Sequence, residues 1–580
     1  MAASSQSGRE CQRSSIRTPQ AGERVSVCGI SYKVDNQLMG SSEIFTGDGG
    51  ETMHAPSDIP GFFKGRCIFI TGGTGFMGKV LVEKLLRSCP EIATIYLLMR
   101  PKRGNDVRTR HEELIRSQIF DRLRNEHPGF ASQLVAVRGD ITLENLGVTP
   151  EDKSLIEKNV SVVFHCAANV RFDQKLNNAV RYNTLGTKRV LELAKHIDKL
   201  DAFVHVSTAY CQCDKPVLEE ITYPSQTGPD NILQLVEWMD DEVLDLITPK
   251  LLGNLPNTYA YSKNLTEQLV TNYGSKFPTA IARPSIVTGT WKDPIPGWVE
   301  NLNGPTGLLV GAGKGVIRSM HCRAEYDADI LPCDMAINAL IILAWKVASL
   351  RPKQPLVCNL TVSGENPITW GHVLDVGRKH LYENPLSDAI WFPDGSIKSS
   401  WLLHTLCVIF FHFLPAYLID FVVTLFGKKP FMVKIQRRIQ GGLDVLQYYT
   451  TKEWVFRNDV YKSLSESMTE RDRETFYTDV KMVNWDGYIK QFVLGTRHYC
   501  LKEDPATLPE ARRRIKWLYW MDRTVGAIFY MLILWMLLSW SDHIIAWGRL
   551  TIRSVPQMFS MIPILRTLSG TVGPDAGTLH

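Results

Sequence analysis

Six short runs of nearly unbroken apolar character constrain this chain more than any other feature. They are CIFIT (67–71), TIYLLM (94–99), LVAVRGD (134–140), SVVFHCA (161–167), AFVHVST (202–208) and AIARPSIV (280–287). A strand wet on one face alternates apolar with polar residues, whereas a run apolar throughout is covered on both faces. Between the runs stand segments of helical spacing, among them MGKVLVEKLLRSC and AVRYNTLGTKRVLELAKHI. Strand–helix alternation of this kind predicts an α/β fold built on a doubly wound parallel sheet.

With 580 residues, the chain is too long for that unit alone. Residues 1–57 are rich in Ser, Gly and Gln without apolar period, and are expected to be disordered. The sheet domain is expected over 58–355, and a Trp- and Phe-rich, mainly helical domain over 356–505. Residues 506–580 read as a basic linker, a membrane helix and a tail. Lys and Arg number 65 against 60 Asp and Glu, a net charge of +5 that is too balanced for a dedicated nucleic-acid binder. The 12 cysteines include no C-x-x-C pair, no H-E-x-x-H is present, and Cys211-x-Cys213 has no matching second pair, so no metal site is expected.

The first strand runs straight into Thr71-Gly72-Gly73-Thr74-Gly75-Phe76-Met77-Gly78, which opens the first helix. Glycines at 72, 75 and 78 permit a tight turn and close backbone approach, and the helix N-terminus offers unpaired N–H groups to a pyrophosphate. Strand, turn and helix in this order point to a dinucleotide site. An NAD site is expected to carry an acidic residue after the second strand. Here Arg100, Lys102 and Arg103 stand instead, and a guanidinium grips a ribose phosphate that a carboxylate would repel. The dinucleotide read from these residues is NADP(H). Asp140 with Ile141, Ala167 with Ala168, and Pro284 lie at the ends of later strands, where the cofactor would rest.

Tyr259 and Lys263 are four apart, on one face of a predicted helix. A cation there favours the phenolate and suits Tyr259 to proton exchange with a substrate oxygen. Lys263 can also hold the nicotinamide ribose. Ser207 and Thr208, at the end of the fifth strand, compete to bind the same oxygen, and Thr208 is preferred. Asn183 is expected to fix a water or the helix backbone behind Lys263. Tyr261, two residues from Lys263, points elsewhere.

TGGTGFMG, YNTLGT around Asn183, VSTAY, the Tyr259–Lys263 pair and ARPSIV resemble the extended short-chain dehydrogenase/reductase superfamily, with its Rossmann-type sheet. PNTYAYSK (256–263), the RPSIV–DPIPGWVEN–NGPTG run (283–307), ADILPCD (328–334) and FHFLPAYLIDF (411–421) further resemble fatty acyl-CoA reductases of insect type, over about residues 58–500. Cys333 departs from that pattern, where Val is usual. The resemblance implies that NADPH reduces a long-chain fatty acyl-CoA to a primary alcohol through an aldehyde, with CoA released. Stopping at the aldehyde, another extended reductase and a non-catalytic NADP(H)-binding scaffold are the alternatives.

Thr524 to Ser541 carries no charge over 18 residues, and apolar character resumes to Trp547. A span over about 524–546 is long enough for a bilayer core of about 30 Å. Arg512, Arg513, Arg514 and Lys516 precede it, which places the catalytic side in the cytosol. Membrane lipid is therefore an expected partner, with the endoplasmic reticulum as expected host and the peroxisome or lipid droplet as alternatives. Trp401 to Ile419 is also free of acidic and basic residues, but His404, His412 and Pro415 interrupt it and Asp420 follows. It reads as a second span, a helix lying on the membrane or the wall of an acyl tunnel.

Overall fold

The computed structural model describes residues 58–560, apart from Arg103, with side chains to Trp540, and two short strands nearer the N-terminus. Those strands, Arg24–Val27 and Ile30–Lys33, pair antiparallel inside a unit of their own. The rest of 1–57, where disorder is expected, lies outside the described residues, as do Arg103 and the tail beyond 560.

The main sheet has seven parallel strands: β1 Cys67–Thr71, β2 Thr94–Met99, β3 Leu134–Arg138, β4 Val160–His165, β5 Ala202–Val206, β6 Thr279–Pro284 and β7 Leu356–Leu360. Their order is β7-β6-β5-β4-β1-β2-β3, so the chain reverses direction between β1 and β4. Ligands of doubly wound sheets bind at that reversal, beyond the carboxyl ends of the strands. Six strands stand where the apolar runs predict them. The seventh extends the sheet past residue 355, where the end of this domain is expected. Its run, LVCNL, carries Asn359 inside, and that amide donates to the carbonyls of Leu218 and Arg457.

Helix α1 (Phe76–Ser88) and helix α2 (Thr258–Tyr273) flank the sheet. Helix α3 (Cys333–Leu350) is apolar all round and long enough to cross a membrane, yet it is buried against α1 and strands β5 and β6. Burial on every side is what such a helix requires in a soluble body. At its start Asp334 accepts from the amides of Trp291, Lys292 and Asp293 and from the Tyr477 hydroxyl.

Helix α4 (Trp370–Glu383) packs on α7 (Trp485–Gly495). Between them in sequence come α5 (Trp401–Leu425), with a π-helical middle at Val408–Phe413, and α6 (Met432–Thr450). Short parallel pairs tie this region to the body, including Ser319–His321 with Ser396–Lys398 and Val217–Leu218 with Val455–Phe456. The last helix, α8, runs over Leu508–Ser560.

The interruptions in α5 have a plain geometric role. His404, Val408, His412, Ala416 and Asp420 recur every fourth residue and are its buried positions, while Leu402, Phe410, Tyr417 and Phe421 stand exposed. Along that seam His404 pairs with the Ser319 hydroxyl, His412 accepts from the amides of Arg318 and Ser319, and Asp420 accepts from those of Phe431, Met432 and Val433. The helix therefore lies along the body on a narrow polar seam and presents apolar side chains elsewhere.

Candidate active site

At two of its positions the glycine loop leaves no room for a side chain. Gly72 has φ +77°, and a Cβ there would fall 2.7–2.9 Å from the backbone of Cys166 and Ala167 at the end of β4. A Cβ on Gly78 would fall 2.2 Å from the Gly72 carbonyl oxygen, so this glycine lets α1 press against the turn. Gly75 caps α1 without a side-chain hydrogen bond, which leaves the first amides of the helix for an anion. Gly73 packs on Leu97, while Thr74, Phe76 and Met77 lie half-exposed along the same turn. The uncapped amides fit a pyrophosphate. Thr71 works from behind: buried, it shares a hydrogen bond with His165 Nδ1 and accepts from the Ala167 amide. Burial holds His165 down at about 3, with Lys263 adding to the effect, so this ring is a neutral brace.

At the adenosine end, Arg100 reaches the outer oxygen of Asp140 at 3.2 Å and lies beside the Tyr182 hydroxyl. Asp140 also accepts from Thr142. A second cation, absent from the sequence reading, completes this corner. Arg110 donates to the Arg100 carbonyl and to the Thr74 hydroxyl, which puts its guanidinium at the glycine loop beside Arg100. Burial and the neighbouring Arg100 both work against its charge, an arrangement that an added anion would relieve. Ile141 is buried beneath Gly186, and Ala168 is half-buried just past Ala167. Pro284 ends β6, paired with Leu360.

The reacting groups meet past β5. Thr208 stands against the Tyr259 phenol, whereas Ser207 is turned to Glu267, which separates the two rival hydroxyls. Burial lifts the phenol well above its ordinary value, Cys211 adds to this, and Thr208 opposes it. The expected phenolate is thus not favoured: Lys263 gives its ammonium to the Val206 carbonyl at 2.7 Å, and burial dominates at Tyr259. A phenol that keeps its proton suits a proton donor. Burial lowers Lys263 to about 8, against the pull of Glu267. Asn183 bridges Asn169 and Ser262: it accepts from the Asn169 amide and donates to the Asn169 carbonyl and the Ser262 hydroxyl. It sits in a π-helical turn, Val180–Leu185, and so ties the β4 loop to the residue beside Lys263. Tyr261 is buried in an apolar cluster with Leu176 and Ile232, away from these groups.

Behind the site, Glu267 lies one turn beyond Lys263 and is clamped by Arg283 through contacts of 2.6 and 2.8 Å, both side chains fully buried. Neither residue is marked as a site by the sequence, because their meeting depends on how α2 crosses β6. Burial pushes the Cys166 thiol up to about 12, so it is not a ready nucleophile. Among the described residues, no cluster of three His, Cys, Asp or Glu could hold a metal.

The Lys263 value has a kinetic consequence. The ammonium is present below about pH 8 and discharges above it, so kcat/KM is expected to fall as pH rises through that value. A profile flat from pH 7 to 9 would remove Lys263 as a required cation.

Comparison with known proteins places this geometry. Two family models, both described as male sterility protein, match the chain: the NAD-binding one over residues 70–340 and the Sterile one over residues 411–503. Fatty acyl-CoA reductase 1 of Mus musculus is 39% identical over 457 residues, covering 79% of this chain and 89% of that protein. Fatty acyl-CoA reductase wat of Drosophila melanogaster is 37% identical, covering 82% of this chain and 92% of that protein. Among solved structures, the reductase domain of a nonribosomal peptide synthetase from Mycobacterium tuberculosis shares the fold, with a TM-score of 0.51 at 18% identity, covering 77% of this chain and 94% of that one. The chain is accordingly an oxidoreductase that uses a nicotinamide cofactor, and it belongs to the fatty acyl-CoA reductase family.

Proposed function

We propose that this chain reduces long-chain fatty acyl-CoA to the primary alcohol with NADPH, in two reductions with an aldehyde held between them. The observation that carries the reading is Thr208 set against the buried Tyr259 phenol, with Lys263 one helical turn on. When bound, NADPH supplies a hydride to the acyl carbon. Thr208 and Tyr259 donate hydrogen bonds to the carbonyl oxygen as it gains negative charge. In the first reduction the resulting hemithioacetal collapses and CoA leaves as thiol. The second reduction consumes a second NADPH, bound after the spent cofactor leaves, and Tyr259 passes its proton to the oxygen as the alcohol forms. Lys263 holds positive charge beneath the site, and Asn183 fixes the loop and helix that frame it. A thioester needs no cysteine nucleophile, in keeping with the unreactive Cys166. The relatives named as fatty acyl-CoA reductases support the acyl thioester as substrate.

Arg100 and Arg110 support NADPH over NADH, because two guanidiniums at one corner suit a ribose phosphate. Membrane attachment belongs to the same reading. Helix α8 docks through Ala511, Ile515 and Leu518, and Asp522 accepts from Arg318 and Trp391. From Thr524 to Trp540 it runs largely exposed and apolar, as the anchor of a cytosol-facing enzyme in the endoplasmic reticulum would. Helix α5, seamed to the body, fits a helix lying in the membrane surface.

The test uses membranes from cells expressing the full chain, given NADPH or NADH with acyl-CoAs of several lengths and analysed by mass spectrometry. Fatty alcohol formed with NADPH is the expected product. Aldehyde alone would cut the reaction to one reduction, and no product at any length would overturn the reading. In the same assay Arg110→Ala is expected to raise the NADPH KM by about 10–100-fold, the equivalent of one or two hydrogen bonds to a charged group, and to leave the NADH KM nearly unchanged. Equal effects on both cofactors would take Arg110 out of the phosphate corner.

A further inference from the structure

Beyond β6 the structure contains an open-mouthed cavity that none of the catalytic candidates lines. Leu309, Met320, Leu374 and Phe492 are typical of its lining, which is almost wholly apolar. Ligand cavities are mostly apolar, with a few placed polar groups. Two such groups stand at the end nearest the sheet: Thr288 and Tyr488, whose hydroxyls lie 2.6 Å apart while Tyr488 also donates to the Gly289 carbonyl. Both hydroxyls are thereby satisfied, so the cavity presents no unpaired polar demand to a ligand.

We infer that this cavity receives the hydrocarbon tail of the acyl substrate and that Gly377 sets how long a tail it accepts. The inference rests on the acyl-CoA reading above and adds the place where the chain lies. Three observations favour a tail over another apolar occupant. Thr288 is four residues past Pro284, at most about 14 Å of extended chain, so the cavity begins close to the cofactor end of β6. Its wall strand Ser319–His321 is bonded through Ser319 to His404 of α5, the helix with the exposed apolar surface, so cavity and apolar surface share one wall. The lining offers no charged counterpart for a headgroup except Arg378, whose guanidinium donates to the Gly395 carbonyl.

Gly377 is the revealing residue. It is buried on α4 and lines the cavity, yet a Cβ built on it meets no atom within 4 Å. A buried glycine in mid-helix is otherwise a loss of about 1 kcal/mol relative to alanine. Here its missing side chain is open space in the cavity. A side chain at this position would extend into that space.

The experiment compares the full-length wild type with Gly377→Phe in membranes, given an equimolar mixture of saturated acyl-CoAs from 10 to 20 carbons. The ratio of long-chain to short-chain kcat/KM is expected to fall about tenfold or more in the variant, since pocket contacts of methylene size discriminate on that scale. An unchanged ratio would overturn the inference. If Gly377→Phe loses activity at all lengths alike, a second measurement decides: the wild type is irradiated with an acyl-CoA bearing a diazirine near the end of its tail. Label on residues 305–320 or 370–381 supports the cavity as tail site, and label confined elsewhere overturns it. The irradiation reads binding, so it decides the cavity even if the wild type forms no reduced product, an outcome that would count against the reductase reading alone.

Discussion

Tyr259→Phe is expected to lower kcat by about 10²–10⁴-fold, the span that a positioned proton donor contributes. The ring itself packs on Phe172, with centroids 5.3 Å apart, and phenylalanine preserves that contact. The loss therefore isolates the hydroxyl. Thr208 remains to hydrogen-bond the carbonyl oxygen but cannot replace the proton that the alcohol product needs. NADPH binding, measured by fluorescence titration, is expected to be unchanged, because no part of the glycine cradle or the arginine corner is touched. Turnover followed by NADPH consumption together with alcohol yield checks the result. A loss smaller than tenfold would mean that another group, or water, delivers the proton.

The largest effect on stability is expected at Arg283. This guanidinium is fully buried and spends its donors on both oxygens of Glu267 and on the carbonyls of Glu219 and Ile221. Replacing it with methionine fills much of the volume and leaves the buried Glu267 carboxylate without its guanidinium, with the Cys211 thiol still donating to it. Breaking a buried pair on one side costs about 3–5 kcal/mol. The direction with pH follows from Glu267. Burial would lift its carboxyl, but Arg283 outweighs burial and holds it below the ordinary value. The pair's stabilisation is thus present above the normal carboxylate range and is lost as pH falls through the depressed value. Denaturant unfolding at neutral pH is expected to show the full loss, with the difference between wild type and variant narrowing on acidification. The double variant Glu267→Gln with Arg283→Met is expected to recover part of it. A single variant within 1 kcal/mol of wild type would show that the pair is not structural.

What could be read without coordinates was whatever a local run or a fixed spacing encodes. The six strands announced themselves because strands covered on both faces are apolar throughout. The glycine loop did so because only glycine fits at Gly72 and Gly78. Tyr259 and Lys263 share a helical face by spacing alone. Residues that meet through loops or crossings were not legible. Arg110 reaches the glycine loop only after a turn in which Lys102 and Asn105 exchange backbone hydrogen bonds, and Arg283 finds Glu267 only because α2 lies over β6. Helix α3 shows a different limit. Its 18 residues suit a core helix or a membrane span equally, and only the packing around it decides. For the same reason the choice between Ser207 and Thr208 needed the turn that follows β5, which sends one hydroxyl to Glu267 and the other to Tyr259.

The polar seam of α5 also sets what that helix needs from the rest of the chain. His404 and His412 are satisfied by Ser319 and by the amides of Arg318 and Ser319, residues that emerge from the ribosome 85–94 positions earlier. Asp420 waits for amides only 11–13 positions later. A helix inserted across a bilayer before meeting those partners would strand two imidazoles and a carboxylate in hydrocarbon, at a cost of several kcal/mol. The imidazoles of α5 are therefore satisfied only once the strand Ser319–His321 is in place. The body thus supplies the polar partners that the helix lacks within itself, and the apolar surface of α5 is displayed on a folded support.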